Sequence, residues 1–270
     1  METAAIRESL EKFRAIPTRR IEVEDRTWEY LSLGDSNSAI LFLHGMGGAY
    51  DIWWMQLMAL KDEFTVVSLT YPPVESLEGL SQGILTVLEE EGITRANIVG
   101  SSLGGYLAQY LVAKHPEVVE RAVFGNTFPP NDLYRRKYRV IMTLARFLPE
   151  SVVSAVLRRR MVRDVLPASA NCEAVRMYVL EMCGGRMTKA DLLTRYRCVV
   201  EGFESCGKRC RSKLMLIESD NDPMVPPELR EELRELYNFS AVHTFHGTGH
   251  FPYLCAPDEY TNLLRSFFGQ

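Results

Sequence analysis

Short, mostly apolar runs recur at Ala39–Leu43, Phe64–Leu69, Ala96–Val99 and Ala122–Phe124, with a helically spaced segment between each and the next: Asp51–Leu60, Leu77–Glu91 and Leu103–Lys114. Runs without a polar alternation suit strands covered on both faces of a sheet. Strand and helix in strict alternation give parallel strands joined by crossover helices. The fold class that follows is α/β, a mostly parallel central sheet flanked by helices. Upstream, Thr3–Phe13 has the spacing of a surface helix, and Arg20–Val23 with Thr27–Leu33 reads as a hairpin turning at Glu24-Asp25. After Asn126 the alternation stops. Leu133–Phe147, Ser151–Val162, Cys172–Cys183 and Lys189–Phe203 all have helical spacing, and strand character returns only at Lys213–Ile217. A helix at Pro227–Leu236, a strand at Ala241–Phe245 and a last helix at Pro257–Phe268 complete the chain. The expected organisation is a core of residues 1–128 and 207–270, with residues 129–206 inserted as a helical cap.

The chain's 270 residues suit one domain carrying such an insertion. Its net charge of −4 gives no case for nucleic-acid binding. One stretch departs from that average: from Arg135 to Arg163 there are nine basic residues against a single acid, Glu150. Two readings of it stay open, solvated helix faces or a surface for an anionic substrate, partner or membrane. The six cysteines match neither a zinc nor a redox spacing, so no metal and no cofactor is expected. The polar start, Met1 to Glu8, lacks the apolar core of a signal peptide, and no run approaches the length of a membrane span. The expectation is a cytoplasmic protein with reduced thiols, in which only Cys206 and Cys210 could pair, on an exposed and oxidised loop.

The chemistry centres on Gly100-Ser101-Ser102-Leu103-Gly104, a G-x-S-x-G set between a buried strand and a helix. A strand that turns sharply into a helix strains its middle residue and leaves no room for side chains two positions either side, hence the glycines. Their register selects Ser102, not Ser101, as nucleophile. Acyl transfer also needs N–H donors for the oxyanion. One is the N–H of Leu103; the other is assigned to Met46, in the loop His44-Gly45-Met46-Gly47-Gly48 after the earlier buried strand.

An acid and a base must follow in the chain. Asp222, in Asp220-Asn221-Asp222-Pro223, is preferred as the acid, with Asp220 and Asp132 as competitors. His250, in Gly247-Thr248-Gly249-His250, is the general base, set on a loop after the last strand. His44, His115, His243 and His246 are read as structural. The order serine, acid, histidine is that of the α/β-hydrolases.

The whole chain resembles a lid-bearing α/β-hydrolase, and more narrowly the maspardin branch. The likeness lies in Phe13-Arg14, Tyr71-Pro72, Gly100 to Gln109, Gly125-Asn126-Thr127-Phe128 and Phe251-Pro252-Tyr253-Leu254-Cys255. It is strong over the core and weak over residues 129–206. The resemblance implies a binding or adaptor role for maspardin itself, which departs at the catalytic histidine. Here His250 occupies that place, so the Ser-Asp-His pattern is complete.

The expected function is hydrolysis of a small-molecule carboxylic ester or related carbonyl compound through an acyl-Ser102 intermediate. Amidases, thioesterases, carbon–carbon bond hydrolases and lyases use the same triad, and the fold does not choose among them. The alternative is a non-catalytic adaptor on a hydrolase scaffold. Trp53, Trp54, Phe128, Tyr253 and Met46 are the candidate pocket lining.

Overall fold

The computed structural model describes residues 3–269; Met1 and Glu2, which open the polar N-terminal stretch, lie outside them. Eight strands form one sheet in the order β1-β2-β4-β3-β5-β6-β7-β8. They are β1 (Arg19–Val23), β2 (Arg26–Leu33), β3 (Ala39–Leu43), β4 (Thr65–Thr70), β5 (Ala96–Ser101), β6 (Val119–Gly125), β7 (Lys213–Ser219) and β8 (Ala241–Phe245). The hairpin β1–β2 is antiparallel, as is β2–β4, and every pairing from β4 through β8 is parallel. Glu24 and Asp25 both take positive φ at the hairpin turn, 50° and 60°.

The helices are α1 (Thr3–Arg14), α2 (Trp54–Leu60), α3 (Leu77–Glu90), α4 (Leu103–Lys114), α5 (Leu133–Ala145), α6 (Glu150–Arg160), α7 (Leu166–Ala168), α8 (Glu173–Glu181), α9 (Lys189–Val200), α10 (Pro227–Leu236), α11 (Pro252–Cys255) and α12 (Pro257–Phe268). The apolar runs have the cause inferred for them. In β3, Ile40 and Phe42 face one core cluster while Leu41 and Leu43 face another on the opposite side of the sheet. Period-two alternation therefore buries every position of β3, and apolar residues fill it.

Between β6 and β7 the chain is helical, α5 through α9, with π-helical turns at Met161–Val165 and Met182–Arg186 that extend α6 and α8. Several boundaries differ from the sequence expectation. The segment Asp51–Leu60 is a 3₁₀ turn, Tyr50–Trp53, leading into α2. The helix expected to reach Phe203 stops at Val200, because Glu201 turns extended (ψ 124°). There the Glu201 carboxylate accepts the Leu77 N–H at 2.7 Å and its carbonyl accepts the Tyr106 hydroxyl at 2.6 Å. The short helix α11 has no counterpart in the sequence reading. Cys206 and Cys210 are joined in a disulfide, which corrects the expectation of reduced thiols for that pair, while the other four cysteines are free. Among the described residues no helix is long and apolar enough to cross a membrane.

Candidate active site

Ser102 sits between β5 and α4 with φ 57° and ψ −119°, a left-handed backbone that a non-glycine residue adopts only under tertiary constraint. The constraint is visible on both sides. A methyl group on Gly100 would overlap the Gly104 carbonyl, and one on Gly104 would overlap the Leu43 carbonyl, so strand and helix close on each other as the glycine spacing requires. The turn is fixed by the Ser102 N–H donating to Gly125 O at 3.0 Å and by the Thr127 hydroxyl donating to Ser102 O at 2.7 Å. Leu103 opens α4, where backbone N–H groups have no intrahelical acceptor.

The loop after β3 lies against this turn: a Cβ on Gly45 would stand 3.7 Å from Ser102 Oγ. Gly45 O accepts from His44 Nδ1 at 2.7 Å and from the Gly48 N–H at 3.1 Å. Because the peptide unit is planar and trans, anchoring that carbonyl turns the Met46 N–H the opposite way. Burial, aided by the charge of Arg195, holds the His44 imidazole well below its ordinary pKa, so the ring is neutral. Its network assigns the proton to Nδ1, since Nε2 accepts the Tyr71 N–H at 3.3 Å. Two further carbonyls of the loop are held from α9. Buried Arg195 donates to Met46 O at 2.8 Å and Gly48 O at 3.1 Å, and to Tyr71 O at 3.1 Å.

His250, on the loop after β8, meets Asp222, on the loop after β7, through Nδ1 and Oδ2 at 2.7 Å, and both are buried. Asp222 also accepts from Asn126 Nδ2 at 2.9 Å and from the N–H groups of Met224 and Val225 at 2.8 and 3.2 Å. Burial by itself would raise the Asp222 carboxyl. The charge and hydrogen bond of His250, the Asn126 amide and the Met224 N–H outweigh it and hold the group below the usual carboxylate range. The competing acids are engaged elsewhere. Asp220 is exposed and bonds His246 Nδ1 at 2.7 Å, and Asp132 is exposed beside Arg135 at 3.6 Å. His243 bonds Glu259 at 3.0 Å, and His115 lies 3.7 Å from Glu117.

Ser102 and His250 line one cavity of about 120 Å³, together with Met46 and Tyr253. The remaining expected lining residues are elsewhere. Trp53 is wholly buried under the site against Phe42 and Tyr253, Trp54 packs on Tyr178, and Phe128 lies between Tyr106 and Tyr134. Large aromatics in the Tyr50–Trp53 turn, on α2 and after β6 are consumed by the core. The opposite wall comes from the inter-strand helices, chiefly Leu157, Met161, Val165, Met182, Met187 and Leu192. Two residues that matter here, Asn126 and Arg195, were not singled out in the sequence. Asn126 has a positive φ of 39° directly after β6, a position that favours asparagine, and the available signal was an asparagine closing a strand within the quoted stretch Gly125-Asn126-Thr127-Phe128. Arg195 is one arginine among many in helical spacing and carries none.

The fold agrees with comparison to known proteins. A model of the alpha/beta hydrolase family matches residues 40–263. The chain belongs to that family. Maspardin of Danio rerio is 25% identical over 272 residues, covering 94% of this chain and 84% of its own. The sn-1-specific diacylglycerol lipase ABHD11 of Mus musculus is 24% identical over 248 residues, covering 85% of this chain and 80% of its own. A crystal structure of a hydrolase from Pseudomonas aeruginosa PA01 superposes with a TM-score of 0.80 at 19% identity, covering 95% of this chain and all of that one. Family and relatives together support hydrolase activity.

Proposed function

We propose that the chain is a serine hydrolase that cleaves small carboxylic esters through an acyl-Ser102 intermediate. The observation that carries this reading is the shared cavity of Ser102 and His250, with His250 bonded to a buried, ionised Asp222. In the proposed reaction His250 Nε2 takes the Ser102 hydroxyl proton as Oγ attacks the ester carbonyl. Asp222 fixes the imidazole through Nδ1 and stabilises the imidazolium. The tetrahedral oxyanion is held by the N–H groups of Leu103 and Met46. His250 then gives its proton to the leaving alkoxide as the C–O bond breaks. A water, deprotonated by the same nitrogen, attacks the acyl-enzyme and releases acid and Ser102.

Residues 129–206 serve in this reading as the cap, since their side chains form the wall facing Ser102. The volume argues for short acyl groups: an apolar cavity of about 150 Å³ holds a benzene, and this one is smaller. The methionines around it leave some room for adjustment. A fluorophosphonate probe should label the wild type and not Ser102→Ala, with the far-UV spectrum unchanged. Turnover of p-nitrophenyl esters should fall steeply before the acyl chain reaches about six carbons. Labelling that survives in Ser102→Ala sinks the nucleophile assignment. A wild type that neither labels nor turns over any ester speaks for the adaptor alternative.

A further inference from the structure

Helices α5 and α6 are poorly covered. Only Tyr134 and Ala145 are buried on α5, and only Val153 on α6. What they leave in solvent is not polar. Among the described residues, eight of the ten large apolar side chains that stand exposed lie between positions 140 and 162, with Phe147 82% and Val140 66% exposed. On each helix they recur at helical spacing: Val140 with Leu144, then Phe147 at the connection, and Val152 with Val156. Scattered apolar residues are ordinary on a surface, but a set concentrated on two successive helices marks a surface that is covered in use.

The charge of the same stretch says by what. Nine basic residues against one acid give it +8 on a chain whose net charge is −4. Arg158, Arg159 and Arg163 border one open groove beside Val162. A second copy of the chain would set this patch against its own like charge in a two-fold contact. The buried centre of a protein interface is also depleted in charge, whereas here arginines interleave with the apolar side chains. Basic residues flanking an apolar helix stripe of low overall hydrophobicity suit a helix that lies in the plane of a membrane surface, its long cationic side chains reaching to the head groups. We propose that the outer face of α5 and α6 docks on an anionic lipid bilayer. The inference does not depend on the hydrolase reading.

The test is co-sedimentation of the full chain with vesicles of phosphatidylcholine alone and of phosphatidylcholine with phosphatidylserine. Binding is expected to the mixed vesicles and to weaken as salt rises. Each basic side chain at an anionic leaflet changes the partition about fivefold, so replacing Arg158, Arg159 and Arg163 by glutamine should weaken binding on the order of a hundredfold. The triple variant Val140→Ser, Leu144→Ser, Phe147→Ser should also lose binding while keeping its melting temperature and its turnover of a water-soluble ester. No binding of the wild type to mixed vesicles overturns the proposal. So does undiminished binding of the serine variant, which would leave charge alone at work. Concentration-dependent self-association that the serine variant abolishes, without vesicle binding, overturns it in favour of a second copy.

Discussion

Asp222 accepts four hydrogen bonds with both carboxylate oxygens, from His250, Asn126, Met224 and Val225. An amide in its place would present two donors to groups that are themselves donors. Asp222→Asn should therefore lose turnover on the order of 10³- to 10⁴-fold, by letting the imidazole adopt the wrong tautomer. Asp220→Asn, which releases only the exposed His246, should leave kcat/KM within about twofold, as surface changes usually do. Steady-state kinetics of the two variants check the expectation, and the opposite ranking would reassign the acid. Both aspartates are plain in the sequence, as is His250. What the sequence lacks is the direction in which each side chain turns, which here is set by Asn126 and by the loop amides.

Helix α9 contributes to the site without touching the cavity at Arg195. The guanidinium donates to two carbonyls of the loop whose Met46 N–H is assigned to the oxyanion. Arg195→Ala strands those buried acceptors and frees the loop, so kcat should fall by about ten- to a hundredfold with KM little changed. Arg195→Lys keeps one charge but not the fork, and should recover only part of the rate. A lowered melting temperature in both variants with kcat of the folded enzyme unchanged would make Arg195 a packing residue only. At this scale the sequence was informative wherever periodicity alone decides structure: the central strands β3, β4 and β5 were legible because burial on both faces leaves a mostly apolar run, and the half-exposed hairpin β1–β2 because its residues alternate. It was uninformative where a tertiary partner decides, as at Glu201, where two distant bonds end α9 early, and at α11, whose four residues are too few for any period. Of the expected lining Tyr253 and Met46 reach the cavity while Trp53, Trp54 and Phe128 do not, since bulk near a site does not reveal which face the core claims.

Over the whole molecule, several elements meet at a buried charge. Asp51, after β3, bonds Tyr178 of α8 at 2.6 Å and pairs with Arg14 of α1 and Arg186 of the following turn at 2.6 and 2.7 Å. Burial would raise its carboxyl, but Arg186, Tyr178 and Arg14 hold it below the ordinary value, as His250 and Asn126 do for Asp222. Both groups have a folded pKa below the unfolded one, which is about 3.9. Their contribution to stability is thus fully present above that value and is lost as pH falls through the folded values. Thermal melts should be flat for these two groups between about pH 5 and 7, where neither changes its ionisation, and should drop below about pH 4. Asp51→Asn should flatten that acid limb. The excess of basic charge after Arg135 could be counted in the sequence, but its union with exposed apolar side chains could not, because either set alone is compatible with a covered helix. Helix α6 turns Leu157 toward the cavity while Val152 and Val156 stay in solvent. Whatever grips the outside of that helix and whatever fills the inside therefore bear on one rigid rod, and by reciprocity each must alter the other's affinity by the same factor if the rod shifts between them.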